Sequence, residues 1–231
     1  MKKIKVVLIA AAILFGTQVS AQSPLTFGVR GGVNLSNIIG DETDDFNPLV
    51  GFNAGVTMDF QFAPSMSLMT GLNFTTKGFR TSESGSEDGY SWSETSTFRP
   101  MYLQLPVHFG YKFVVAPGTR LVLHAGPYIA YGIGGRSSWE WSETFDGDTE
   151  TESGSSNIWG EKGEDGERED VINRFDFGVG IGVGLQLPNR MTVGLGFDLG
   201  LANLVDNSDV PSQYHSTLRN MNAHLTVGFR F

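Results

Sequence analysis

The sequence predicts an all-β protein, an eight-stranded antiparallel up-and-down transmembrane β-barrel with short periplasmic turns and long extracellular loops. Three observations carry this expectation. Stretches of roughly 10 residues, about what a tilted strand needs to cross hydrocarbon, alternate strictly between large apolar and small or polar side chains. Within those stretches every Asp, Lys, Arg and His takes the lean parity. Between them, short and long connections alternate along the chain.

The first 21 residues read as an export leader. Lys2, Lys3 and Lys5 form a positive start, Val6 to Gly16 an apolar run, and Val19, Ser20 and Ala21 a small-residue cleavage site. Cutting after Ala21 leaves a mature domain of residues 22–231. The apolar run is short of the ~20 residues a spanning helix requires, so the membrane must be crossed by strands.

The first strand, from about Thr26 to Leu35, sets Phe27, Val29, Val33 and Leu35 against Gly28, Arg30, Gly32 and Asn34. Successive strand side chains point to opposite faces, so one face is greasy and the other lean. The second strand, near Val50 to Gln61, opposes Phe52, Val56, Met58 and Phe60 to Asn53, Gly55, Thr57 and Asp59. Ala63, Pro64 and Ser65 form a turn into the third, from about Ser67 to Lys77. The fourth presents Leu103, Leu105, Val107, Phe109, Tyr111 and Phe113 opposite Tyr102, Gln104, His108 and Lys112. Ala116, Pro117 and Gly118 turn the chain into the fifth, where Leu121, Leu123, Ile129 and Tyr131 alternate with Arg120, His124 and Tyr128. Pro106 and Pro127 each remove a ladder donor, which predicts a bulge or local break at each.

The sixth and seventh strands are the clearest. Phe175, Phe177, Val179, Ile181, Val183 and Leu185 alternate with Asp176, Gly178, Gly180, Gly182 and Gly184; the pattern resumes after Pro188 and Asn189 as Met191, Val193, Leu195, Phe197 and Leu199. The eighth sets Met221, Leu225, Val227, Phe229 and Phe231 against His224, Thr226 and Arg230. A soluble barrel has the reverse geometry, charged outside and apolar inside. In a bilayer the charge must turn inward, because Lys or Arg on the lipid face near the midplane costs ~2 to 4 kcal/mol.

Of the chain's 16 Lys and Arg, three lie in the leader, so the mature domain sets 13 against 25 acidic residues, a net charge of −12. That excludes nucleic acid as a partner. The absence of cysteine excludes disulfides and thiolate metal sites. Of the 25 acidic residues, 22 fall in the four long connections, which read as a solvated Gly/Ser-rich surface facing outward from the cell. Asp146, Asp148 and Glu150 are spaced like the opening of a calcium loop, without the remaining ligands or flanking helices. Trp92, Trp139, Trp141 and Trp159 share these connections, either as a platform for a protein partner or as packing between loops.

Inside the barrel, Arg174, Asp176, Asp198 and Lys77 form a candidate ionic cluster. Asp176 and Asp198 are expected near one another across the Pro188 turn, with Arg174 or Lys77 between them. The same counting around Pro117 brings His108 close to His124, a pair expected to hydrogen bond within the lumen. No catalytic, cofactor or metal site is assigned, and no cofactor is expected. His215, with Ser212, Ser216 and Asp209 nearby in sequence, lacks a spacing that demands a triad. Phe229 and Phe231 close the last strand as an aromatic pair suited to recognition by barrel-insertion machinery. The expected surroundings are outer-membrane lipid.

Several phrases, GVRGGVN from Gly28, YLQLPVHFGYKF from Tyr102, GPYIAY from Gly126, DFGVGIGVGL from Asp176, GLANL from Gly200 and the closing VGFRF, resemble the PorT-like outer-membrane β-barrel family of Bacteroidota. The resemblance spans nearly the whole mature chain. It implies an eight-stranded barrel in the outer membrane and, through PorT, a part in protein secretion; it carries no catalytic residues. The expectation is a non-enzymatic barrel with a structural, adhesive or assembly-partner role. The alternatives are a secretion accessory and a barrel enzyme acting on lipid or peptide.

Overall fold

The computed structural model describes residues 24–41, 43–162, 168–170, 172–205, 207, 211 and 215–231. The leader, residues 1–21, lies outside the described residues, as do Asp209 and Ser212. Among the described residues there are twelve strands: β1 (Leu25–Gly40), β2 (Asn47–Ala63), β3 (Met66–Thr76), β4 (Phe79–Glu87), β5 (Tyr90–Ala116), β6 (Thr119–Phe145), β7 (Asp148–Asn157), β8 (Trp159–Lys162), β9 (Arg168–Asp170), β10 (Phe175–Gln186), β11 (Met191–Gly200) and β12 (Leu218–Arg230). Eight of them, β1, β2, β3, β5, β6, β10, β11 and β12, pair antiparallel with their neighbours in that order, and β12 pairs back onto β1. The ring is closed, so no membrane-spanning strand has a free edge.

Parity sorts the side chains as expected. In β10 the odd residues Phe175 to Leu185 are exposed, while Asp176, Gly178, Gly180 and Gln186 are buried. Most exposed aromatics of the outer face gather at its two ends, with Phe197, opposite Ile181, between them. Phe27, Phe60, Phe62, Phe109, Tyr111, Phe113, Phe229 and Phe231 lie toward the short turns, and Phe52, Tyr131, Phe175 and Phe177 toward the long connections. These are the two interfacial girdles of a membrane barrel.

The turns at the periplasmic end follow local chemistry. Pro117 and Gly118, the latter at φ 73°, join β5 to β6, as Pro then Gly do in a tight turn that needs a positive φ. Between β10 and β11, Leu187 and Met191 close a loop in which Arg190 adopts φ 67° and the Asn189 side chain accepts the Met191 N–H. At Pro106 and Pro127 the β5–β6 ladder is interrupted. Pro106 pairs with Tyr128 and Phe109 with Ala125, residues 107–108 and 126–127 are skipped, and the register is unchanged on either side. The result is a local break without a bulge. The Thr70 hydroxyl donates to the Pro106 carbonyl at 2.7 Å, recovering one polar group there.

Two long connections differ from the expectation of loops. β5 and β6 each run 27 residues, more than twice the bilayer requirement, and continue beyond the barrel as the centre of a four-stranded sheet in the order β4-β5-β6-β7. Its two hairpins turn at Asp88-Gly89 and Asp146-Gly147, with φ 83° at Gly89, 49° at Asp146 and 93° at Gly147. At Asp146-Gly147 both residues have positive φ, the two-residue turn whose backbone twist matches that of the flanking strands; at Asp88-Gly89 only the glycine does. Asp146, Asp148 and Glu150 therefore occupy a hairpin turn and the strand after it, β7.

Candidate functional site

The lumen is filled by its own side chains. Near the extracellular mouth, the Lys77 ammonium lies 3.0 Å from an Asp176 carboxylate oxygen, and both side chains are fully buried. The same oxygen accepts bonds from the Tyr128 hydroxyl at 3.3 Å and the Asn220 amide at 2.9 Å. Lys77 also stands over the rings of Tyr128 and Tyr102, at 4.6 and 5.2 Å from their centroids. A buried ammonium needs such a surround, since desolvation costs several kcal/mol per ion unless it is paired and hydrogen-bonded.

Above this pair the mouth is plugged by apolar contacts. Tyr102, Tyr128 and Ile38 of the barrel pack with Ile158, Trp159, Ile172 and Leu204 from the connections before β10 and β12. Trp159 meets Tyr102 edge-on at 5.5 Å and donates its indole N–H to the Ile172 carbonyl at 2.8 Å. Gly132 leaves the space that the Trp159 ring fills; a Cβ there would sit 2.4 Å from it.

Midway down the lumen, Asp198 accepts a bond from Gln104 at 3.1 Å and lies 3.8 Å from His224. His108 and His124 stack with ring centroids 5.1 Å apart and join Nδ1 to Nδ1 at 2.9 Å. The glycine-rich face of β10 and β11 receives these rings, His108 at Gly180, His124 at Gly182 and His224 at Gly196. Toward the periplasm, Lys112 and Asp59 approach to 2.7 Å, and Arg230 donates to Gln186 at 3.2 Å. A cavity of about 110 Å³ remains in this half. The plugged mouth and paired interior make a barrel closed from the outside.

The predicted ionic cluster is thus brought together only in part. Lys77 and Asp176 pair as expected. Asp198 does not join them: β10 and β11 register Gly180 against Asp198, four residues below Asp176, a separation of roughly 13 Å along the strand. Arg174 sits just before β10, half-buried beside Gly160, and its carbonyl accepts the Gly132 N–H at 2.8 Å. His108 and His124 meet as predicted, and among the described residues no group of three or more His, Asp or Glu is arranged to hold a metal. Phe229 and Phe231 lie on the outer face with ring centroids 5.8 Å apart. Sequence reasoning missed Tyr128, Asn220 and Gln104 as partners of the two aspartates. Their lean parity at the depth of those acids was the available signal.

The extracellular sheet has two chemically distinct faces. At the top of the barrel Met101 pairs with Gly134 and Tyr102 with Gly132, leaving Ile133 as an extra residue in β6. That bulge exchanges the faces of β6 above it. Trp139, Trp141 and Glu143 therefore continue the lumen side, together with Trp92, Glu94, Glu83, Glu150 and Glu152 of the paired strands. Trp92 covers Gly85 and Trp139 covers Gly154 across neighbouring strands, while Tyr90 donates to Glu143 at 3.2 Å. The outer side carries hydroxyls, paired across strands as Ser82 with Thr95, Ser142 with Thr151 and Thr144 with Thr149 at 3.4, 3.2 and 2.9 Å. Trp159 alone of the four tryptophans enters the mouth.

Solved structures similar to this chain are outer-membrane barrels. The attachment invasion locus protein Ail of Yersinia pestis, solved with a heparin analogue, is 15% identical, covers 90% of this chain and 99% of its own, and has a TM-score of 0.33. Neisserial surface protein A is 11% identical over 89% of this chain and 97% of its own, with a TM-score of 0.38. A major outer membrane protein from Thermus thermophilus is 15% identical over 90% and 99%, with a TM-score of 0.39. No curated protein matches the chain. Residues 18–206 match the family described as outer membrane protein beta-barrel domain. The ring of eight strands, its two aromatic girdles and this match over most of the sequence place the chain in the outer membrane, as a member of the outer membrane protein beta-barrel domain family.

Proposed function

We propose that this protein is a non-enzymatic outer-membrane barrel whose task is to mount the β4–β7 sheet at the cell surface, in an adhesive, structural or assembly-partner role. The observation that supports this reading best is continuity: β5 and β6 cross the membrane and then form the middle of the sheet, so its orientation is fixed by the barrel itself. The plugged mouth, with Lys77 and Asp176 fully buried beneath it, argues against a route for solutes. The axis-side face, where Trp92, Trp139 and Trp141 stand among carboxylates with no Lys or Arg, suits a cationic protein partner.

The test is to replace residues 80–97 and 137–156 by short turns. Cell-surface adhesion or partner crosslinking is expected to disappear while heat-modifiable gel migration of the barrel persists. Unchanged adhesion and crosslinking would contradict the reading, as would steady ion conductance of the intact protein in planar bilayers. Phe229 and Phe231 are assigned to recognition by the barrel-insertion machinery. Removing Phe231 should lower the inserted fraction in cells more than it lowers refolding into detergent.

The PorT-like phrases favour a second reading, an accessory of protein secretion. A gene deletion that leaves adhesion intact but traps secreted cargo would select it.

A further inference from the structure

The outward face of the extracellular sheet carries three arginines where the lipid-facing belt ends. Going up β5, the outward residues are Phe113, Tyr111, Phe109, Val107, Leu105, Leu103 and Met101, and the next is Arg99. Going up β6, they are Ile129, Tyr131 and Ile133, and after the bulge Arg136. Without the bulge Arg136 would keep the parity of His124 and Tyr128 and point over the lumen. With it, Arg136 is the direct cross-strand partner of Arg99. Arg80 of β4 pairs with Thr97, one outward row above Arg99.

All three side chains are exposed, and among the described residues none lies within ion-pair distance of a carboxylate. Like charges directly opposite one another destabilise a sheet, so an anion between Arg99 and Arg136 would relieve the ladder. The sheet's own carboxylates, apart from Glu140, are committed to the other face or the turns. The groove beside Arg80 and Arg136 is lined by hydroxyls of Thr95, Thr97, Ser138, Ser153 and Ser155, with the Glu140 carboxylate at its far end opposite Thr95.

We propose that Arg80, Arg99 and Arg136 form a binding site for the phosphate of an anionic glycolipid headgroup in the outer leaflet, with the adjoining hydroxyl ledge receiving its sugar. Position identifies the occupant. Whatever places acyl chains against Met101 and Ile133 must place its headgroup against the next residues up. Guanidinium forks bind phosphate bidentately, which matches two arginines facing each other across one ladder step. A mature chain of net charge −12 offers no bulk attraction for anions, so the attraction is local to this face.

Native mass spectrometry of the full mature chain, released from detergent after incubation with bis-phosphorylated lipid A, tests this. Dephosphorylated lipid A and inorganic phosphate form the parallel arms. The chain should retain the phosphorylated lipid over the dephosphorylated one, and Arg99→Ser with Arg136→Ser should weaken retention by about tenfold or more. Arg99→Lys with Arg136→Lys should fall between, because an ammonium cannot reproduce the bidentate contact. Arg190→Asn, at a periplasmic turn, should change nothing. Heat-modifiable migration verifies that each variant is folded, and Arg80→Ser alone provides a milder version. Equal retention of both lipids, unchanged retention in the serine variants, or displacement of the lipid by an equal concentration of inorganic phosphate would overturn the assignment.

Discussion

Lys77 and Asp176 are the ion pair most deeply withdrawn from water in this barrel, and their separation should be correspondingly costly. Removing one partner of a buried pair leaves an uncompensated charge, at about 3–5 kcal/mol. Lys77→Met is therefore expected to lower the urea midpoint of the barrel strongly. Adding Asp176→Asn, which keeps an acceptor for Tyr128 and Asn220, should recover more than half of the loss. A double variant no more stable than Lys77→Met would show that the pair is not the source. Lys77 and Asp176 were both legible from parity, since Asp176 stands on the lean side of β10 and Lys77, the residue after β3, continues the lean series of Asn73 and Thr75. The distance between Asp176 and Asp198 was not. Counting from Pro188 centres the hairpin one residue early, and the observed loop, centred on Asn189, moves each inward residue along its neighbour without changing which face it takes. A second residue-scale consequence follows from Gly182. A Cβ there would lie 2.5 Å from the His124 ring and 2.9 Å from the Leu195 carbonyl, so Gly182→Ala should overpack the lumen by ~1–3 kcal/mol, read as a lower melting temperature in detergent.

At the scale of elements, the membrane strands were legible and the extracellular ones were not. Strands that touch lipid alternate Leu, Val, Ile and Phe with glycine and polar residues, and that contrast in hydropathy is what marks period two. β4 to β7 alternate as regularly, but between hydroxyls and a mixture of carboxylate and tryptophan, as in Ser91-Trp92-Ser93-Glu94-Thr95. Both faces meet water at least in part, so the contrast disappears and the segment resembles a solvated loop. The readable clues were the Asp88-Gly89 and Asp146-Gly147 dipeptides, two-residue hairpin turns flanked by strand formers. Gly89 and Gly147 have open space around them but hold left-handed backbones, so valine at both is unfavourable through φ alone, by roughly 1–2 kcal/mol each. Limited proteolysis of intact cells should then cut the sheet of the double variant and leave the barrel heat-modifiable. A variant as resistant as the parent would contradict the hairpin assignment.

At the scale of the whole molecule, one ring of strands separates two environments, hydrocarbon outside and a polar, self-filled lumen inside. Closure allows this, because every spanning strand has a neighbour on both sides, so its backbone groups are paired within the ring apart from the ladder break at Pro106 and Pro127. Ile181, 59% exposed and midway along β10, is placed at the centre of the bilayer, so Ile181→Arg should cost ~2 to 4 kcal/mol in refolding into vesicles. The most direct measurement of the central claim uses the absence of native cysteine. Single cysteines placed in turn from Phe175 to Gly200 and spin-labelled in vesicles should give oxygen accessibility that rises at odd positions and falls at even ones in both strands of the hairpin. Odd positions that instead collide with a water-soluble relaxation agent, or show no period of two, would mean that the apolar faces of these strands do not touch lipid.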